Sequence, residues 1–131
     1  MKVVDLSGRQ HTWNLKGYQV DPGDTRPRSS GHLACRALLK KLFPLDVILE
    51  EVPCPNENLF LDFLIPSRKI AIEVQGRQHD QFVPFFQKTK PKFYQGQQRD
   101  RRKAEFCKLN GIKLVELPDN EDENEWIKKI L

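Results

Sequence analysis

At 131 residues and 15.3 kDa, with 38% hydrophobic residues, the chain is long enough for one hydrophobic core and too short for two domains of ordinary size. No 18-residue apolar run exists and no apolar h-region of signal-peptide length follows Lys2, which leads to the expectation of a soluble, unexported, cytoplasmic protein without a membrane partner. The net charge of +4 is uneven: residues 66–103 carry ten Lys/Arg against three Asp/Glu, +7 within 38 residues, a density that suits a polyanionic partner such as nucleic acid or a merely solvated basic face.

Residues 2–20 can form a short hairpin turning at Ser7-Gly8, and the turn-rich stretch "DPGDTRPRSSG" (21–31) reads as a linker. This predicts an N-terminal β-hairpin arm and linker over 1–29, ahead of a main domain over 30–131. From Ser30, Cys35, Leu38, Leu39 and Leu42 recur at helical spacing with Arg36 and Lys40 opposite, Ser29 or Ser30 can cap, and Pro44 ends the run. Three β-rich runs follow at 47–52, 59–65 and 69–74; the last two are separated only by Pro66-Ser67-Arg68, so they must be antiparallel neighbours. A polar and aromatic loop to about residue 96 leads to a helix over 97–109 closed by Asn110-Gly111, a strand over 112–117 and a helix near 123–131. The order is that of an α/β sandwich, a mixed central sheet flanked by helices.

Asp62 and Glu73 interrupt the second and third strands. Strand alternation puts Phe60, Asp62 and Leu64 on one face and Ala71, Glu73 and Gln75 on one face of the next strand, so a tight hairpin can set the two carboxylates side by side. They repel, and burying either charge is costly unless it is paired. A divalent cation such as Mg²⁺ removes that cost and brings water and phosphate with it; two acids on a solvent-facing side of the sheet would have no such role. Cys35, Cys54 and Cys107 are odd in number and widely spaced, which points to reduced thiols rather than a disulfide framework or a zinc site.

At these residues the sequence resembles the PD-(D/E)XK nuclease superfamily, and within it the small DUF559 and very-short-patch-repair-like endonucleases. The resemblance rests on "DFLIPSRKIAIEVQGRQH" and "RDRRKAEFCKLNGIKLVEL": an Asp on one central strand, an E-V-x-G-x-x-H block on the next, Arg-Asp before a helix, then a G-I-x-L strand. It covers roughly residues 30–118 and implies a restriction-endonuclease-like fold with an α-β-β-β-α-β core. It implies Asp62 and Glu73 as ligands of Mg²⁺, for which Mn²⁺ can substitute, with the Val74 carbonyl as a further ligand. Gln75 stands where relatives usually carry Lys, so the missing positive charge must come from the metal or from another cation, for which Arg77, His79 and Lys103 are candidates. His79 is also a candidate proton donor or phosphate holder. The first helix lacks the Glu that often supports the metal in relatives, reading Ser30-Gly31-His32-Leu33 instead.

Asp100, Lys103, Ala104 and Cys107 form one helical stripe that can face the site, with Asp100 orienting a ligand or contacting phosphate, or simply pairing with Lys103. Lys88, Lys90 and Lys92 interleave with aromatic rings in the 81–98 excursion, a mixture suited to a nucleic-acid groove. Together with Arg77, Arg99, Arg101, Arg102 and Lys103, and with Arg26 and Arg28 of the linker, they are the expected DNA contacts. Trp13 and Tyr18 suit packing, dimer contacts or DNA docking. The expected function is a metal-dependent endonuclease that hydrolyses DNA by metal-activated water. The rivals are a non-catalytic DNA-binding module and a nuclease selective for RNA, single-stranded or branched DNA. A duplex cutter would need two sites, hence a homodimer.

Overall fold

The structure, a computed structural model, describes residues 1–20, 22–76 and 90–131, with the side chains of 90–93 excepted. A two-stranded antiparallel hairpin, β1 (Lys2–Val4) and β2 (Gln10–Thr12), precedes helix α1 (Ser30–Leu42). Strands β3 (Leu49–Pro53), β4 (Phe60–Ile65) and β5 (Ile70–Gln75) follow, then α2 (Lys90–Leu109), β6 (Lys113–Pro118) and α3 (Glu123–Ile130). The four-stranded sheet has the order β3-β4-β5-β6, antiparallel except for the parallel β5–β6 pair. The architecture is mixed α/β, a mixed sheet flanked by helices with an N-terminal hairpin.

Two apolar layers sandwich the sheet. Cys35, Leu38, Leu39 and Phe43 of the α1 segment meet Phe63, Ile65, Ile72, Val115, Leu117 and α3's Trp126 and Ile130. On the other side Phe106 and Cys107 of α2 pack with Leu61, Leu64, Ala71, Val3 and Trp13. The hairpin is thus part of the core rather than a loose arm. Asn110 accepts from Val4 N (2.7 Å) and donates to Val4 O (2.9 Å), and the Trp13 indole donates to Pro53 O and meets the Phe106 ring edge-on. Trp13 is therefore a packing residue, and Tyr18 O accepts from Glu50 N while its side chain packs against the same layer.

Local chemistry explains the element ends. Ser29 Oγ accepts from His32 N, so Ser29 is the N-cap of α1. The β4–β5 connection is one 3₁₀ turn, Pro66–Arg68, closed by Lys69 in the left-handed region. Helix α2 begins seven residues earlier than the sequence predicts, because Pro91 sits in the first turn, where a missing N–H costs nothing. Lys90 and Lys92 consequently belong to a helix, not a loop. The inward face of α2 also differs from the expected stripe: Ala104 is exposed, and Lys103, Phe106, Cys107 and Asn110 turn toward the sheet.

Candidate metal centre

The β4–β5 ladder pairs Ile65 with Ile70, Leu64 with Ala71 and Phe63 with Ile72, and there it stops. One step further the strands are joined through side chains. Asp62 N donates to Glu73 Oε2 and Val74 N donates to Asp62 Oδ2, both at 3.0 Å. The two carboxylates therefore lie in a fork between parting strands, each tied to the opposite strand's amide. The expected simple alternation fails at this point: Leu61 and Leu64 lie in the same layer, and Phe63 and Ile65 in the other. A regular strand would group 61 with 63 and 65.

Lys103 completes the fork. Its Nζ stands 2.6 Å from Glu73 Oε1, reached from α2 on the side of the Phe106 layer. Glu73 is 6% exposed, and its Oε1 is buried with no hydrogen bond of regular geometry, so the Lys103 ion pair is its main contact. Burial, and next the charge and hydrogen bond of Asp62, push the Glu73 carboxyl up to about 8 against the opposing pull of Lys103. Among the described residues two carboxylates share one ammonium here, so ionising both would leave the pair short of positive charge, and Glu73 holds its proton at neutral pH instead. Lys103 itself is held above its usual range chiefly by Glu73, against the effect of burial.

The remaining expected site residues separate clearly. The Val74 backbone is in the fork through its amide, and its side chain meets α1 closely enough that a Cβ on Gly31 would lie 3.0 Å from Val74 Cγ1. Gln75 ends β5 opposite Pro118, and its carbonyl accepts from Asp119 N. Asp100 is half-buried, and Arg99 and Arg101 are exposed on α2. Arg102 is exposed but paired with Glu57 at 3.1 Å. Arg77, His79 and Lys88 lie outside the described residues. The linker arginines behave differently from expectation. Arg28 is buried and ion-paired with Asp24 and Glu51, so it is no free phosphate contact, and Arg26 is exposed but bonded to Asp24 at 2.8 Å.

A second buried polar cluster was missed in the sequence. Glu50, also 6% exposed, receives His32 Nε2 (2.5 Å), Arg36 Nε (2.8 Å) and Arg36 Nη2 (3.0 Å), and Arg36 reaches on to Asp24. The His32 ring stacks on Phe63, 4.5 Å between centroids. Arg36 is thus not on a solvent face of α1. The usable signal was an acid inside an apolar strand run opposite a His and an Arg spaced i, i+4 on one helix. The three cysteines are buried and free, and burial drives their thiols up to about 12, as inert core residues.

Among the described residues no group of three or more His, Cys, Asp or Glu side chains is placed to hold a metal ion, and no helix is long and apolar enough to cross a membrane. Among the described residues the oxygen donors of Asp62 and Glu73 converge, a hard-ligand pair of the kind that suits a divalent cation such as Mg²⁺.

No protein-family model matches the sequence, and no solved structure does. The chain is similar to three viral proteins. Uncharacterized protein 307L of Invertebrate iridescent virus 6 is 40% identical over 63 residues, 48% of this chain and 32% of that protein. Uncharacterized protein 033L of Invertebrate iridescent virus 3 is 30% identical over 95 residues, 69% of this chain and 49% of that protein. Uncharacterized protein 094L of Frog virus 3 (isolate Goorha) is 38% identical over 81 residues, covering 60% and 52%. The chain thus spans from about a third to about half the length of these relatives.

Proposed function

We propose that this protein is a Mg²⁺-dependent nuclease of the PD-(D/E)XK type, with a restriction-endonuclease-like fold, that hydrolyses DNA phosphodiester bonds. The observation that carries the reading is the fork itself: Asp62 and Glu73 held on each other's strand, with Lys103 on Glu73 Oε1. The two carboxylates and the Val74 carbonyl would hold the cation. When bound, Mg²⁺ lowers the pKa of a coordinated water and offsets charge on the phosphate.

The chain's own residues supply the rest. Asp62 and Glu73 are fixed by backbone donors, so their geometry is set before any ligand arrives. Lys103 provides the cation that Gln75 cannot, from a helix instead of from the third strand. Before metal binds it partly compensates Glu73; beside a bound phosphate it stabilises negative charge. Arg99 and Arg101 place positive charge along α2 for the sugar–phosphate backbone.

The test is incubation of supercoiled plasmid, single-stranded DNA, RNA and a branched duplex with Mg²⁺, Mn²⁺ or EDTA, beside Glu73→Ala. Metal-dependent cleavage that Glu73→Ala abolishes supports the reading and identifies the substrate shape. DNA binding without cleavage under either metal would instead assign a binding module, with Gln75 marking the lost chemistry. Light scattering with and without duplex tests the homodimer that cutting both strands requires.

A further inference from the structure

Glu51 is an acid on the strand next to Asp62, and nothing in the proposed chemistry uses it. It lies on β3 at the register position facing Asp62. The β3–β4 ladder pairs Leu49 with Leu64, Glu50 with Phe63, Val52 with Leu61 and Pro53 with Phe60, leaving out only Glu51 and Asp62. Glu51 has φ +51°, a left-handed conformation rare for a residue with a side chain and more often found where function requires it. On both strands the buried faces change over at this rung. Leu49 and Val52 share one layer although they are three residues apart, as do Leu61 and Leu64.

The omitted rung holds Asp62, which supplies one of the fork's two donors and one of its two acceptors. Asp62 N donates to the Glu73 carboxylate and the Asp62 carboxylate accepts from Val74 N, so Asp62 is turned wholly toward β5. An extended residue at 51 would offer a regular rung and draw Asp62 back toward β3. The Glu51 side chain points to Arg28, whose side chain is only 6% exposed and also lies 3.7 Å from Asp24.

We infer that Glu51 is a positioning residue: its left-handed backbone keeps β3 from engaging Asp62 and so lets Asp62 and Glu73 hold each other across the β4–β5 fork. The inference rests on the fork as the functional site, but the arrangement it describes exists without metal or DNA. Its test therefore reads the metal-free protein first, by amide hydrogen exchange at Asp62 and Val74 in labelled samples.

Glu51→Gly and Glu51→Asn tolerate the left-handed region and should keep both amides protected, although both lose the charge that pairs with Arg28. Glu51→Val disfavours that region, and its Asp62 and Val74 amides should exchange at least about tenfold faster while Leu39 and Ile130 stay unchanged. Mn²⁺ affinity should fall about 10- to 100-fold in Glu51→Val alone. Equal protection in the Val and Gly variants would overturn the inference, and so would equal loss in both, which would make the carboxylate the active element. If Glu51→Val does not fold, Glu51→Ala gives the same contrast: slower exchange in Gly than in Ala supports the inference, and equal rates overturn it. Because exchange is read without metal or substrate, the inference can stand even if no cleavage is found, and it can fail while cleavage is intact.

Discussion

Glu50 and Glu73 are equally buried, at 6% exposure each, and they sit in the same sheet, yet their protonation behaviour is opposite. Burial acts to raise both. For Glu50, hydrogen bonds from Arg36 and His32 outweigh burial and the carboxyl is lowered. For Glu73, the neighbouring Asp62 adds to burial, the single Lys103 does not compensate, and the carboxyl rises to about 8. In the α1–β3 cluster one buried carboxylate receives a guanidinium and an imidazole, whereas in the β4–β5 fork, among the described residues, two carboxylates meet one ammonium. Equal burial therefore does not distinguish the two acids; the partners each one meets do.

The largest effect that would break this comparison is loss of the fork. Asp62→Ala should reduce both DNA cleavage and Mn²⁺ binding to background, read by plasmid nicking and calorimetry; retained Mn²⁺ affinity would place the cation elsewhere. Next is the α1–β3 cluster. Glu50→Ala leaves Arg36 buried without its main partner, at an expected cost of about 3–5 kcal/mol in urea denaturation. Glu73→Gln should do the reverse in metal-free protein at pH 8, raising the melting temperature, because it removes an uncompensated charge from a buried position.

Lys103→Met separates the roles of metal and ammonium. Turnover should drop about 10²- to 10³-fold, as for loss of one charge-stabilising group in a buried site, while Mn²⁺ affinity holds or tightens because a competing cation is gone. A parallel fall of both would make Lys103 a packing residue. The smallest effect is on pH dependence. Glu73 titrates near 8 when folded against an ordinary value of 4.5, so the folded chain holds the extra proton across that window and metal-free stability falls as pH rises from about 5 to about 8. Saturating Mg²⁺ should flatten that slope in thermal melts, and so should Glu73→Gln.

Much of this was legible in the residues. Helical spacing located α1, β-branched runs bounded by Pro and Gly located the strands, and the short Pro66-Ser67-Arg68 link forced β4 and β5 into an antiparallel pair. Asp62 and Glu73 stood out as acids in apolar runs. Lys103 could be named only as one candidate cation among three, since helical periodicity says which face a residue takes but not which strand that face will meet. The N-terminus of α2 was misplaced because Gln, Gly and Pro read as loop, although Pro is well tolerated in a first helical turn.

What the sequence determined by itself was local: element order, the hairpin joining the two acidic strands, the concentration of basic residues, and the anomaly of acids among apolar neighbours. Those follow from periodicity and turn chemistry, which act over a few residues. The tertiary structure alone decided the charge balance. Glu50 met the Arg36 guanidinium and the His32 ring through an α1–β3 contact and became part of the scaffold. Glu73 met Asp62 across a strand and Lys103 across the chain, and burial beside a second carboxylate raised its carboxyl to about 8. Electrostatic energy inside a fold depends on distance and burial in space, and neither is carried by position along the chain.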